Sequence, residues 1–216
     1  ILANIYMHNV LTLWYKFVIK GNTFGNSFLV VYADDFIAGF QYKEDAEIYY
    51  TLLKERLRKF NLELEESKSR LIEFGRYAET NSKRKYGKKP ETIDFLGFTF
   101  YCGKGKRSRN FCVKLKTNRK KFQQKLKATK EWLYENRTMP VKEMISKLNL
   151  KLIGHYKYYG VSHNSAKIGA FLHFIQRYLY KVLNRRSHKR SYTWDGYIEM
   201  LKVYPLAKPK IYVKLF

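Results

Sequence analysis

Phe28-Leu29-Val30-Val31-Tyr32-Ala33-Asp34-Asp35-Phe36-Ile37-Ala38-Gly39-Phe40 consists of two short apolar runs separated by an alanine and two aspartates. Runs of this length and composition around a polar break predict a β-hairpin with strands over residues 28–32 and 36–40 and both carboxylates at its tip. Two adjacent carboxylates are costly to bury unpaired, so they must face solvent, a cation or both. Mg²⁺ suits such a site, because it takes a few carboxylate oxygens together with waters and substrate phosphates. Asp also tolerates turn geometry and bonds its own backbone, so on the hairpin alone an ordinary turn is the commoner reading.

Working outward, Leu2, Ile5, Tyr6, Asn9, Val10, Leu13 and Trp14 recur at helical spacing from the very start of the chain, which opens on Ile1 rather than Met. The expectation is that the sequence begins inside something larger. After the hairpin, Ala46, Tyr49, Leu53, Leu57 and Phe60 predict an amphipathic helix over residues 43–60, stopped at Asn61. Leu62-Glu63-Leu64-Glu65 alternates as a strand would, and a second strand is expected over 70–74 after a turn at Ser67 and Lys68. Residues 80–90 are polar and basic and predict an exposed loop. Residues 93–101 and 110–115 predict another hairpin around Gly103-Lys104-Gly105.

From Thr117 onward the periodicity is helical, with one helix through Phe122, Leu126 and Leu133, a second over 141–159 started by Pro140, and a third over 168–183. The expected fold class is α+β: β-hairpins packed with helices over 1–115, an all-α three-helix module over 116–190, and a basic C-terminal tail over 191–216.

The chain has 216 residues, with 43 Lys and Arg against 18 Asp and Glu, giving a formal charge of +25. Such an excess self-repels unless a polyanion neutralises it, so nucleic acid is the natural partner. With 19 Tyr and 15 Phe the sequence is too rich in rings for a disordered basic tail. The apolar runs are short and interrupted, which predicts no membrane span and no membrane partner. Cys102 and Cys112 are the only cysteines and the five histidines are scattered, which argues against a disulfide scaffold or a zinc cluster and for a reducing, intracellular setting.

Tyr32-Ala33-Asp34-Asp35 resembles the Tyr-x-Asp-Asp box of reverse transcriptases. Residues 1–8 resemble the palm helix that leads into that box, residues 60–70 the following block, and Asp94-Phe95-Leu96-Gly97-Phe98 the block after that, in the family's order. Residues 152–160 and 183–187, with Thr193-Trp194 and residues 204–211, resemble the thumb and maturase region of bacterial group II intron proteins. The resemblance covers nearly the whole chain except residues 77–91. It implies a partial reverse-transcriptase palm followed by a helical thumb, with RNA-directed DNA polymerisation and maturase activity in intron splicing. A non-catalytic intron RNA-binding splicing cofactor is the alternative, and a generic basic RNA-binding protein a lesser one.

The same resemblance implies the site residues. Asp34 and Asp35 would hold part of a two-Mg²⁺ site, Lys68 would assist the leaving pyrophosphate, and Tyr32, Ala33, Leu96 and Gly97 would lie near primer or nucleotide. The implied partners are intron RNA, an RNA template with its DNA primer, and deoxynucleoside triphosphates. The family's fingers and first catalytic aspartate would precede Ile1, so the upstream half is an expected partner and residues 1–216 alone are expected to be inactive. The implied location is the cytoplasm of a bacterium.

Arg185, Arg186, Lys189 and Arg190, close to His188, Tyr192 and Trp194, are the expected RNA contacts, since looped RNA is bound by basic grooves with interleaved rings. Lys104, Lys106, Arg107 and Arg109 and the run 114–130 are less specific candidates. Tyr156, Tyr158 and Tyr159 cannot all face one way, so some are expected to pack in the thumb and the rest to stack on bases.

Overall fold

The computed structural model describes residues 2–105, 109–186 and 191–215. Among these the protein is mixed α/β, with seven α-helices and two small antiparallel sheets. It divides into two compact units, Ile1–Glu73 and Phe74–Phe216.

The first unit opens with α1 (Leu2–Met7), continued by π-helical turns His8–Leu13 and Tyr15–Ile19 and a 3₁₀ turn Lys20–Asn22. These wider turns shift the apolar stripe: Val10, Leu11, Tyr15 and Ile19 are buried, while Leu2, Ile5 and Tyr6 at the expected positions are exposed. The hairpin forms as expected, from β1 (Ser27–Tyr32) and β2 (Asp35–Phe40), and α2 (Lys43–Lys59) follows it. Leu29, Val31, Phe36, Ala38 and Phe40 pack on a core made by the opening helix and by Tyr49, Leu53 and Leu57 of α2. Asp45, buried in the first turn of α2, accepts the backbone N–H groups of Phe24 and Gly25 at 3.1 Å each, which ties the approach to β1 onto the helix.

The strands expected at 62–65 and 70–74 do not form. Their alternation is real, since Leu62 and Leu64 pack on the core while Glu63 and Glu65 face out. A period of two records which side chains are covered, but a strand also needs a ladder partner, and none pairs with these segments among the described residues. The turn at Ser67 and Lys68 is present, gathered around Glu65, whose backbone oxygen accepts from the N–H groups of Lys68 and Ser69 at 3.1 and 3.0 Å.

In the second unit, the loop expected over 80–90 is largely helix: α3 spans Ala78–Tyr86 and is closed by Gly87 at φ 62°. Lys, Arg and Glu are good helix formers, so the polar composition correctly indicated exposure without excluding a helix. A three-stranded sheet, β3 (Ile93–Phe95), β4 (Phe98–Lys104) and β5 (Phe111–Thr117), replaces the simple hairpin, because Leu96 and Gly97 turn the chain between β3 and β4. Cys102 pairs with Val113 and Cys112 with Gly103, so the two thiols lie on opposite faces of the sheet, both free.

The expected helices follow as α4 (Arg119–Glu135), α5 (Val141–Tyr159) and α6 (Ser165–Leu183). A fourth, α7 (Trp194–Val203), joins them from within the expected tail. Tyr197 of α7 is fully buried in the bundle core, and its hydroxyl donates to the backbone oxygen of Gln176 at 2.8 Å. The remaining residues form a strap: Asn149 accepts from the Ala207 N–H at 2.7 Å and donates to the Pro205 oxygen at 2.9 Å. Farther along, the Tyr212 and Val213 N–H groups both reach the Gly160 oxygen. His155, stacked on Phe171 with ring centres 3.9 Å apart, has its pKa lowered to about 4 by burial and then by the Lys125 charge, so the imidazole is neutral in the folded core.

Sheet and bundle meet at Asn164, which is 0% exposed. Its side-chain oxygen accepts the Thr117 N–H at 2.9 Å, and its amide donates to the Thr117 hydroxyl at 2.9 Å and to the Tyr159 oxygen at 2.8 Å. Asn164→Ala leaves those groups buried and unpaired, and is expected to lower stability by about 2–4 kcal/mol in urea denaturation. A loss below about 0.5 kcal/mol would show that the junction does not depend on this amide.

Candidate active site

The β1–β2 register runs from Ser27↔Phe40 to Tyr32↔Asp35, so Ala33 and Asp34 alone make the loop. Cross-strand partners share a face, which puts Tyr32 and Asp35 on the side opposite the core, with Phe28 and Val30. That face is open: Tyr32 is 62%, Phe28 57% and Val30 47% exposed. The Phe28 ring lies across Gly39, where a Cβ would stand 2.3 Å from a ring carbon. Ala33 takes φ 54°, a left-handed conformation that disfavours a side chain. This strained residue stands at an exposed tip, directly before the two acids.

Asp34 and Asp35 are both exposed, and neither carboxylate makes a hydrogen bond or ion pair among the described residues. Their oxygens are hard donors left free, which suits Mg²⁺. No three His, Cys, Asp or Glu side chains converge among the described residues, here or elsewhere. Lys68 lies in the turn after α2, its ammonium 3.1 Å from Glu65 and its side chain 80% exposed. The Glu65 carboxylate also accepts the Ser67 hydroxyl, and this bond, followed by Lys68, holds its pKa below the usual range. Hydrogen bonds thus set Lys68 in an ordered turn.

Leu96 and Gly97, in the second unit, have φ 48° and 74°, the left-handed pair a two-residue hairpin turn requires. The Leu96 oxygen accepts the Tyr158 hydroxyl at 3.0 Å and the Gly97 oxygen accepts the Asn118 N–H at 2.9 Å. A Cβ on Gly97 would stand 2.9 Å from the Tyr159 hydroxyl oxygen. Both carbonyls of the turn are therefore engaged by the helical part of this unit. Of the three tyrosines ending α5, Tyr156 is in the core, Tyr159 is half-buried and Tyr158 is exposed.

A family model described as reverse transcriptase (RNA-dependent DNA polymerase) matches residues 1–100, and one described as group II intron, maturase-specific domain matches residues 119–197. The chain belongs to the group II intron reverse transcriptase/maturase family. No curated protein matches the chain. By family the function is RNA-directed DNA polymerisation coupled to maturation of intron RNA, and nucleic acid is the partner. No described helix is long and apolar enough to cross a membrane.

Within the maturase-specific region, Arg185 donates to the Tyr134 hydroxyl at 3.2 Å and lies over that ring. Lys130 sits between the Tyr134 and Tyr178 rings at 5.9 and 5.6 Å. Lys130, Tyr134 and Arg185, with Lys127, Glu131 and Glu135, line a shallow groove of about 650 Å³. Arg186 behaves differently: it is half-buried and donates to the Met144 sulfur at 3.5 Å, and burial lowers its pKa. Lys189 and Arg190 lie outside the described residues, as do Lys106 and Arg107. Asn184 bonds both the N–H and the oxygen of Tyr192, at 2.7 and 3.0 Å. A second groove of about 540 Å³ is lined by Lys116, Arg119, Lys120 and Lys167 among others.

Within the run 114–130, a less specific candidate in the sequence, Lys130 is set against Tyr134 and Tyr178, which the sequence does not single out. The Lys130–Tyr134 spacing of one helical turn was the available signal.

Proposed function

We propose that the hairpin tip is part of the polymerase active site, with Asp34 and Asp35 each supplying carboxylate oxygen to Mg²⁺. The supporting observation is a strained two-residue loop that presents two free acids. Held by these carboxylates together with ligands from the upstream palm, Mg²⁺ would supply charge stabilisation for the attacking and leaving oxygens in displacement at phosphorus. Tyr32 and Ala33 shape the tip beside primer or nucleotide, and Leu96 and Gly97 lie near the primer end. Lys68, released from Glu65, offers a cation to the leaving pyrophosphate of a deoxynucleoside triphosphate. We place the change from palm to thumb near residue 116, between the two matched regions.

The open face of the hairpin supports a further partner. A two-stranded sheet with Phe28, Val30 and Tyr32 in solvent is marginal by itself. The upstream part of the palm, which in this reading carries the fingers and the first catalytic aspartate, covers that face and completes the ligand set. Intron RNA and the template–primer bind the basic second unit, and the setting is the bacterial cytoplasm. The splicing-cofactor reading, without catalysis, leaves the free acids of the tip unexplained.

In the protein complete with its upstream palm, Asp34→Asn is expected to reduce primer extension by several orders of magnitude while RNA affinity stays within a few-fold. Extension near the wild-type rate would end the assignment of Asp34. Replacing Arg185, Lys189 and Arg190 with Gln is expected to lower the log–log salt slope of RNA binding by about 2, at ~0.7 for each phosphate contact on single strands. Adding Arg186→Gln should change stability more than slope. An unaltered slope in the triple variant, read by fluorescence anisotropy, would make these residues a solvated surface.

A further inference from the structure

The Leu96–Gly97 turn is held more firmly than a hairpin requires. A leucine at φ 48° takes a left-handed conformation that its side chain disfavours, yet the turn is fixed from two helices. Asn118, the N-cap of α4, donates its N–H to the Gly97 oxygen at 2.9 Å, and its side chain caps α4 by accepting from the Lys120 and Lys121 N–H groups. From the end of α5, the Tyr158 hydroxyl donates to the Leu96 oxygen at 3.0 Å. The Tyr158 ring also stacks on Phe98, the first residue after the turn, at 5.9 Å and 11°. Tyr159 meets Phe98 edge-on at 5.2 Å and closes over Gly97.

Tyr158 is 55% exposed and is not part of the bundle core. The core therefore does not need it, and among its described contacts are the turn and the two rings beside it. We infer that Tyr158 is a positioning residue for polymerisation: through the Leu96 oxygen and the Phe98 ring it sets the Leu96–Gly97 turn, and so the primer terminus, at the height dictated by α5. This rests on the reading of that turn as primer-proximal. Misplacing a reacting group by a fraction of an ångström costs rate without costing binding, so the consequence is a catalytic defect at unchanged affinity.

The test uses the polymerising protein with its whole palm. Tyr158→Phe keeps the stack and removes only the hydroxyl; the expected result is a roughly threefold to tenfold fall in kcat on pre-bound primer–template, the range one lost neutral hydrogen bond supplies. The Kd for primer–template should be unchanged, and the melting midpoint should fall by no more than a few degrees and stay far above the assay temperature. Tyr158→Ala, which also removes the stack, should fall further in kcat. Wild-type kcat in Tyr158→Phe, or a defect that follows a melting midpoint lowered towards the assay temperature, overturns the inference. Gly97→Ala, which crowds the Tyr159 hydroxyl and strains φ, separates this from the underlying reading. If Gly97→Ala lowers kcat and Tyr158→Phe does not, only the role of Tyr158 falls. If neither variant changes kcat, the primer-proximal reading of the turn falls with it.

Discussion

One buried amide holds the second unit together. Asn164 sits where β5 ends and α6 begins, and three of its hydrogen bonds span Thr117 and Tyr159, joining the sheet to two helices of the bundle. A buried polar group fully satisfied in this way specifies geometry, because displacement in any direction leaves donors and acceptors unpaired in a dry site. That junction reinforces the Leu96–Gly97 turn, whose own bonds to Tyr158 and Asn118 cross the same boundary between sheet and bundle. The strap over α5, fastened through Asn149 and Gly160, serves the same end from the opposite terminus of the unit.

The hairpin of the first unit has a different economy. One face is packed and the other is open, and strain at Ala33 is concentrated at the tip beside the two acids. A hairpin optimised for its own stability would carry Asn-Gly or Asp-Gly there and a polar outer face. Tyr32-Ala33-Asp34-Asp35 departs from that on both counts. The departure is intelligible if the tip is shaped for metal and the outer face for the remainder of a palm.

Much of this was legible in the sequence. The hairpin, α2 with its stop at Asn61, and the three principal bundle helices all follow from period and punctuation. So did the fact that Tyr156, Tyr158 and Tyr159 would divide between core and surface. The failures share a cause. Leu62 and Leu64 alternate without a strand, α3 hides in a polar stretch, and α7 sits in what read as a tail, because burial pattern and composition do not report ladder partners, helix propensity of charged residues or long-range packing. Asn164 and Tyr158 were illegible for the same reason: a lone asparagine after a glycine-containing break reads as a helix stop, and its partners are 47 residues away at Thr117. Arg186 differs from its neighbours in that the fold draws it partly inward over Met144.

In the proposed reading, Asp34 and Asp35 are one share of a metal site completed by the upstream palm, on a chain that binds RNA without that palm. Two Mg²⁺ ions at close range repel strongly, and two carboxylates alone do not offset that charge. The direct measurement is primer extension by purified residues 1–216, alone and mixed with a separately expressed segment carrying the fingers and first palm aspartate, with RNA binding followed by anisotropy in parallel. RNA binding by the 216 residues alone, with extension appearing only on mixing, is the predicted result; robust extension by the 216 residues alone would contradict it.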